Sequence, residues 1–281
     1  MENLQEHSAS QPLSEVVTHY EDQDEAARLL RGTGQLEFAR TQEILNRYLP
    51  PPPAVILDVG GGAGIHALPL AEMGHEVHLV DPAPKHIAQA RAASQAQPAH
   101  PLASAEIGDA RALQWAGASV DVVLLLGPLY HLPERQERVQ AWREARRVVR
   151  AGGLVVAAAI SRFASVLDGL FSGFLDDPTF VRIAEEDVRS GQHRNPDQHP
   201  GYFTTAYFHR SEELEREIVD AGLRHVATLP VESVGCMLQN FEAHWQDAGR
   251  RERLLEALRW LEREPTLLGV TGHLLAMARK G

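Results

Sequence analysis

Three nearly continuous apolar runs constrain this chain more than any other feature of it: AVILDV (54–59), SVDVVLLLG (119–127) and LVVAAAIS (154–161). A strand with one wet face alternates apolar and polar residues, whereas a strand with no polar face must be covered on both sides. Two further runs, EVHLVD (76–81) and AEIGDA (105–110), read as shorter strands. Helical segments stand between them. One runs from a glycine turn to Met73 and stops at Gly74; another runs from Pro84 to about Ala96. A third runs from Pro133 to Arg150 and is stopped by AGG (151–153). This alternation predicts an α/β chain with a parallel sheet between two layers of helices.

The flanks depart from that rhythm. Residues 1–14 are polar, and 15–49 carry a helical period that PPPP (50–53) ends. After Ser161 the alternation lapses for about 50 residues, long for a plain connection and of the length that lids have. Ser211 then caps a helix bearing Leu214, Ile218 and Ala221, with Gly222 as its stop. LRHVATLP (223–230) and HLLAMARK (273–280) close the chain as strands with a helical stretch between them. The expected organisation is a helical cover over 1–49, a core over 50–161, a lid over 162–210 and completion of the sheet by 211–281.

Composition narrows the class. The chain has 281 residues, 44% of them hydrophobic, and 38 acidic against 27 basic side chains give a net charge of −11. A nucleic acid or an anionic membrane would want a basic stripe. The densest basic run, REARRVVR (143–150), reads as the wet face of a helix. Cys236 is the only cysteine, which excludes an intrachain disulfide and a thiolate zinc site, and its apolar neighbours suggest a buried core thiol. The histidines form no i,i+4 or acid-linked metal motif, so no metal is expected. With no signal peptide pattern and no run of about 20 apolar residues, a cytoplasmic protein is expected, monomeric or homodimeric.

The glycine turn, LDVGGGAGIHALPLA (57–71), can be read in two registers. Gly62 to Ala67 fits the G-x-G-x-x-A form of a dinucleotide fingerprint. Asp58 to Gly64 fits acid-x-G-x-G-x-G with the acid still on the strand. A pyrophosphate gains nothing from a carboxylate there. Asp81 ends the second strand, where an acid serves a ribose in either register. Asp109 ends the third, and the fourth ends LLLGPLYHL (124–132). In these stations, taken in order, the chain resembles the class I S-adenosylmethionine-dependent methyltransferases. Pro69 is the one letter that fits poorly, about a turn into the expected helix.

The resemblance implies a Rossmann-like, doubly wound, seven-stranded, mostly parallel sheet with an antiparallel last strand. It implies S-adenosyl-L-methionine as cofactor, held by Asp58, Gly60, Gly62 and Gly64 at its methionine end. Asp81 and Pro82 would serve the ribose, Asp109 and Ala110 the adenine, and Leu126 the loop facing the methyl group. Tyr20 and Arg40 would close over it from the N-terminal segment. The sulfonium is an activated donor, so much of the catalysis is alignment and exclusion of water. Tyr130 and His131 follow the fourth strand, and His131 can take a proton near neutrality; His209 is a further catalytic candidate. The stretch GQHRNPDQHPGYFTTAYFHR (191–210) supplies acceptor-side candidates in His193, Arg194, His199, Tyr202 and Tyr207. The expected reaction moves a methyl group to an O or N atom of a small molecule. An NAD(P)-dependent oxidoreductase and a noncatalytic S-adenosylmethionine-binding protein are the alternatives.

Overall fold

The computed structural model describes residues 25–199 and 201–281. The expectation for Tyr20 lies outside the described residues. Five strands lie parallel in the order β3-β2-β1-β4-β5: β1 (Val55–Val59), β2 (Glu76–Asp81), β3 (Ser104–Ile107), β4 (Val120–Leu125) and β5 (Val149–Ser161). The last strand, called β9 here (His273–Arg279), runs antiparallel along β5, and β8 (Arg224–Pro230) pairs antiparallel with β9. Nine strands are described where seven were expected. The two extra ones, β6 (Gln192–His193) and β7 (Ala206–His209), belong to the insertion after β5.

Successive strand residues point to opposite faces, and both faces are covered. Leu57, Val59, Val123 and Leu125 pack on Trp142 and Ile218, while Ile56, Leu79 and Leu124 pack on Ile44, Leu70 and Met277. Helices α1 (Glu25–Leu29), α2 (Gly34–Tyr48), α3 (Ala67–Glu72), α4 (Pro84–Ala96) and α5 (Arg135–Val148) supply this cover together with later segments. The N-terminal helix is broken, not continuous, because the chain turns at Gly32 with φ 51°. The AGG tripeptide lies inside β5, whose first residue Val149 already caps the end of α5. Val120 pairs with Val149 and Val122 with Leu154, so the extra residues bulge out with Gly152 at φ 72°.

Pro69 is the third residue of α3, since the glycine turn continues to His66 before the helix starts. The first four N–H groups of any helix have no partner within it, so the proline forfeits nothing there. The insertion carries α6 (Ala164–Ser172) and α7 (Pro178–Ser190), the latter capped by Asp177, whose side chain accepts the Thr179 N–H. It returns through β6 and β7, and β7 runs parallel to the last residues of β5, with Ile160 opposite Phe208. The Arg162 N–H donates to the His209 carbonyl at 2.8 Å, closing the root of the insertion. Helix α8 (Ser211–Asp220) is not held by Ser211 at its start; the Glu213 carboxylate accepts the Arg210 N–H instead. Residues 211–281 complete the sheet only at their two ends. Between those ends α9 (Phe241–Gln246) and α10 (Ala248–Leu261) pack Phe241, Trp245 and Leu258 on Leu36 of α2.

Candidate active site

The glycine turn folds tightly because its neighbours leave no room for side chains. A Cβ on Gly60 would lie 2.7 Å from the Pro128 ring, and one on Gly61 would lie 2.6 Å from Asp58 Oδ2. The turn is tied to β2: the Gly60 N–H donates to the Val80 carbonyl at 2.7 Å and the Gly62 N–H to Asp81 Oδ2 at 2.9 Å. Beneath it lies Asp58, 1% exposed, with neither carboxylate oxygen hydrogen-bonded. Burial, and then the nearby charge of Asp81, pushes its pKa up to about 7.

The other expected stations follow along the same edge of the sheet. Asp81 Oδ1 accepts the Ala83 N–H at 2.9 Å and lies 3.0 Å from His86 Nδ1; Pro82 makes the turn between them. Asp109 takes a bidentate contact from Arg111, which outweighs its burial and holds its pKa below the ordinary value. Ala110 is buried beside it. At the end of β4 the Leu126 carbonyl accepts the Tyr130 hydroxyl at 3.3 Å. A buried carboxylate without a partner calls for a cation or a donor, and the bare glycine turn leaves space above it. A cationic group would satisfy Asp58, whereas a pyrophosphate over it would be repelled.

A cavity of about 670 Å³ opens beside Tyr130 and Ile160. Its walls come from three places: Arg28 and Glu37 of the N-terminal helices, aromatic residues of the insertion such as Phe180 and Phe203, and the β8–β9 side with Glu232, Cys236 and His273. Tyr130 belongs to both regions, since a Cβ on Gly127 would lie 3.2 Å from the Gly60 carbonyl and 3.7 Å from the Tyr130 hydroxyl.

Of the catalytic and acceptor-side residues expected from the sequence, Tyr130, His193 and Tyr202 line this cavity. His193 sits with Nδ1 2.8 Å from Asp187 and Nε2 3.3 Å from the Phe203 carbonyl. Tyr202 donates to Asp177 at 2.6 Å, a bond that with its burial pushes the phenol up to about 12. His131 is buried in the 3₁₀ turn Pro128–His131, its ring 4.6 Å from that of Tyr130 and 5.8 Å from that of Phe203.

Other residues sit differently from what the sequence suggests. Phe208 of β7 faces the cavity, so by strand alternation Tyr207 and His209 face away from it. His209 is fully buried against Glu217, Nε2 to Oε2 3.3 Å, and burial lowers its pKa. Tyr207 lies under the Arg138 guanidinium at 3.6 Å. Arg194, next to His193, turns to Gln192 and to the carbonyls of His193 and Ala206. Arg40 is wholly buried and bonds Glu43, Glu262 and the Val231 carbonyl, tying α2 to the end of α10 and to the exit of β8. His199 stacks on Tyr202 with ring centres 4.1 Å apart. Cys236 is no sealed core thiol: it is half-buried at the cavity wall, where burial and then Glu232 push its pKa up to about 11.

The most polar wall was not legible. Glu232 and His273 stand 41 residues apart and meet because Pro230 pairs with Leu274 across β8 and β9. His273 Nδ1 lies 2.6 Å from Glu232 Oε1, and Glu232 Oε2 accepts Thr271 Oγ1 at 2.8 Å and the His273 N–H at 2.9 Å. Glu37 Oε2 is 3.8 Å from the same Nδ1 and bonded by Arg28 at 2.7 Å. Burial works against the charged ring, yet Glu37 and Glu232 outweigh it and raise His273 to about 9; Glu232 falls to about 2, against its own burial, through His273. Polar atoms of Glu37, Glu232 and His273 lie within 4.8 Å of one another. Each carboxylate already has a cationic partner, Arg28 or His273.

Residues 57–157 match the family described as a methyltransferase domain. A ubiquinone biosynthesis O-methyltransferase of Methylocella silvestris is 35% identical over 119 residues, 42% of this chain and 44% of that one. Its counterpart in Agrobacterium fabrum is 30% identical over 168 residues, 60% of this chain and 58% of that one. The chain thus spans less than two thirds of the length of these curated relatives. The solved magnesium protoporphyrin IX methyltransferase of Synechocystis PCC 6803, with S-adenosylhomocysteine bound, shares the fold at a TM-score of 0.55 and 14% identity, over 97% of this chain and 95% of that one. Among the described residues no helix is long and apolar enough to cross a membrane.

Proposed function

We propose that this chain, whose core is a class I S-adenosylmethionine-dependent methyltransferase domain, moves a methyl group from S-adenosylmethionine to an oxygen atom of a small molecule in the cavity beside Tyr130. The observation that carries the reading is the unpartnered Asp58 carboxylate under the glycine-rich turn, on a chain that also opens a cavity beside Tyr130. The cavity volume is in the range of pockets for small organic ligands.

When bound, S-adenosylmethionine would supply an electrophilic methyl carbon for the nucleophile, with the neutral thioether as the leaving group. Asp58 and the Gly60–Gly64 turn serve the methionine end. Asp81 would hold the ribose, although it already accepts three internal contacts, and Asp109 with Ala110 would border the adenine. Tyr130 separates the two compartments, and the aromatic wall of the insertion excludes water from the acceptor, so that alignment does much of the catalysis. Oxygen is favoured over nitrogen by the O-methyltransferases among the relatives and by the histidine–carboxylate pairs at the wall. The reversed β9 and the acid beneath the turn speak against an NAD(P)-dependent oxidoreductase.

Calorimetry with S-adenosylmethionine, S-adenosylhomocysteine and NADH tests the cofactor, and transfer of a labelled methyl group to a panel of phenols, alcohols and amines tests the reaction. Binding of S-adenosylmethionine and methylated oxygen are expected. Binding of NADH alone would sink the reading, and cofactor binding with no turnover on the panel would leave a binding protein.

A further inference from the structure

Two histidine–carboxylate pairs border the cavity, and they differ at one nitrogen. Both ring nitrogens of His193 are engaged, by Asp187 and by the Phe203 carbonyl. His273 is held only at Nδ1, by Glu232. Its Nε2 has no hydrogen-bond partner among the described residues, and the side chain is 25% exposed beside the cavity it lines. Glu232 itself is fixed by Thr271 and by the His273 backbone, so it orients the ring firmly. The position is apt as well. Because β9 runs antiparallel, its first residue lies where the parallel strands end, level with Ile160, at the edge where open α/β sheets bind ligands.

Resting on the methyltransferase reading, we propose that His273 is the catalytic residue that takes the proton of the acceptor, with Glu232 as its positioning residue, and that the acceptor group is a phenolic hydroxyl. The O–H bond breaks with its electron pair left on oxygen, and the proton passes to Nε2 while Nδ1–H stays on Glu232. The oxygen bearing the pair is the nucleophile for the methyl carbon. The ring returns its proton to water after the product leaves.

The charges around the ring favour a phenol. Glu232 faces it from the exit of β8, Glu37 from α2 and Arg28 from α1; Cys236 and, on α6, Asp168 share the cavity. Together the two glutamates set the ring at about 9. A phenol ionises near 10, so a base at that level takes its proton with little free-energy change, whereas an ordinary imidazole near 6.5 falls roughly three units short. Aliphatic alcohols are far weaker acids. The step needs the neutral ring, which predominates above about pH 9, and the imidazolium it forms then holds the phenolate by charge.

The test compares catechol with 4-nitrocatechol, which is already ionised at neutral pH, as methyl acceptors for the full chain. In the wild type, kcat/KM for catechol should rise about tenfold per pH unit and level near pH 9, while 4-nitrocatechol shows no such rise. His273→Gln should lower catechol turnover by roughly 10²–10⁴-fold and 4-nitrocatechol turnover by less than about tenfold. Equal loss with both phenols, or a flat catechol profile in the wild type, overturns the proposal. Turnover of neither phenol by a protein that binds S-adenosylmethionine also overturns it and leaves the methyltransferase reading standing. Failure to bind S-adenosylmethionine removes that reading and the inference with it. An independent readout needs no cofactor: the His273 Cε1 proton should titrate near 9 by NMR and lower in Glu232→Gln. Titration near 6.5 in the wild type refutes the dyad.

Discussion

Asp58 holds a carboxylate where the protein supplies it nothing to bind. Its pKa of about 7 in the folded chain, against 3.8 when unfolded, means that the native state prefers it protonated. Raising the pH from about 4 to 7 therefore costs stability through this one group, and the whole cost is present above 7. Asp58→Asn should raise the melting temperature above pH 7 by a few degrees, equivalent to about 1–3 kcal/mol, and change little near pH 4. The same variant should bind S-adenosylmethionine more weakly. In the wild type, affinity should fall as pH drops below 7, because a cationic ligand must expel the proton. Calorimetry in buffers of different ionisation enthalpy would detect that released proton, and a pH-independent affinity would count against the role. Asp81 differs: it anchors Gly62, Ala83 and His86. Asp81→Ala should weaken cofactor binding by about 1–3 kcal/mol, measured the same way.

Elements are joined in this protein by buried ions. Arg40 and Arg47 of α2 converge on Glu262 at 2.8 Å and 2.5 Å, fastening the helical cover after β8 to the N-terminal helix. Removing one member of a buried pair leaves the other charge uncompensated, a cost of about 3 kcal/mol or more. Arg40→Leu should therefore lower stability by that order in chemical denaturation, with Arg47 retaining part of the neutralisation. S-adenosylmethionine affinity of the folded variant should stay unchanged. A large loss of affinity with intact stability would restore a direct role for the guanidinium. On the other side of the sheet Arg138, bonded to Glu217 and to the carbonyls of Leu132 and Pro133, anchors the chain just after Tyr130.

Over the whole molecule, the parallel strands were legible because AVILDV, SVDVVLLLG and LVVAAAIS have no polar face, a pattern that few packings satisfy. The row of acids was legible because Asp58, Asp81 and Asp109 stand at or just past the ends of successive strands. AGG misled because glycines that stop a helix and glycines that bulge a strand read alike. The face of β7 was unreadable, since Tyr207, Phe208 and His209 are amphipathic or apolar and both sides of the strand are covered. The Glu232–His273 pair was invisible because no local spacing encodes a contact across 41 residues. That pair also governs stability at high pH. His273 rises from 6.5 to about 9 on folding, so its contribution is full below about 6.5 and lost as pH climbs through 9. Glu232 reports the same interaction from the acid side, lost as pH falls through about 2. Calorimetric scans should show the wild type losing stability between 6.5 and 9, beyond the part due to Asp58, and His273→Gln showing less of that loss.

The hydrogen bond from the Arg162 N–H to the His209 carbonyl has a further implication. The chain leaves the sheet and re-enters it at neighbouring points, so everything from 163 to 208 is a detour with a closed neck, not a flap on a hinge. A detour of this kind is separable cargo: its length and lining could be rewritten while the strand ends it leaves and rejoins keep their spacing. On the proposed function, that rewriting would change the acceptor and leave the residues proposed for the methyl donor in place.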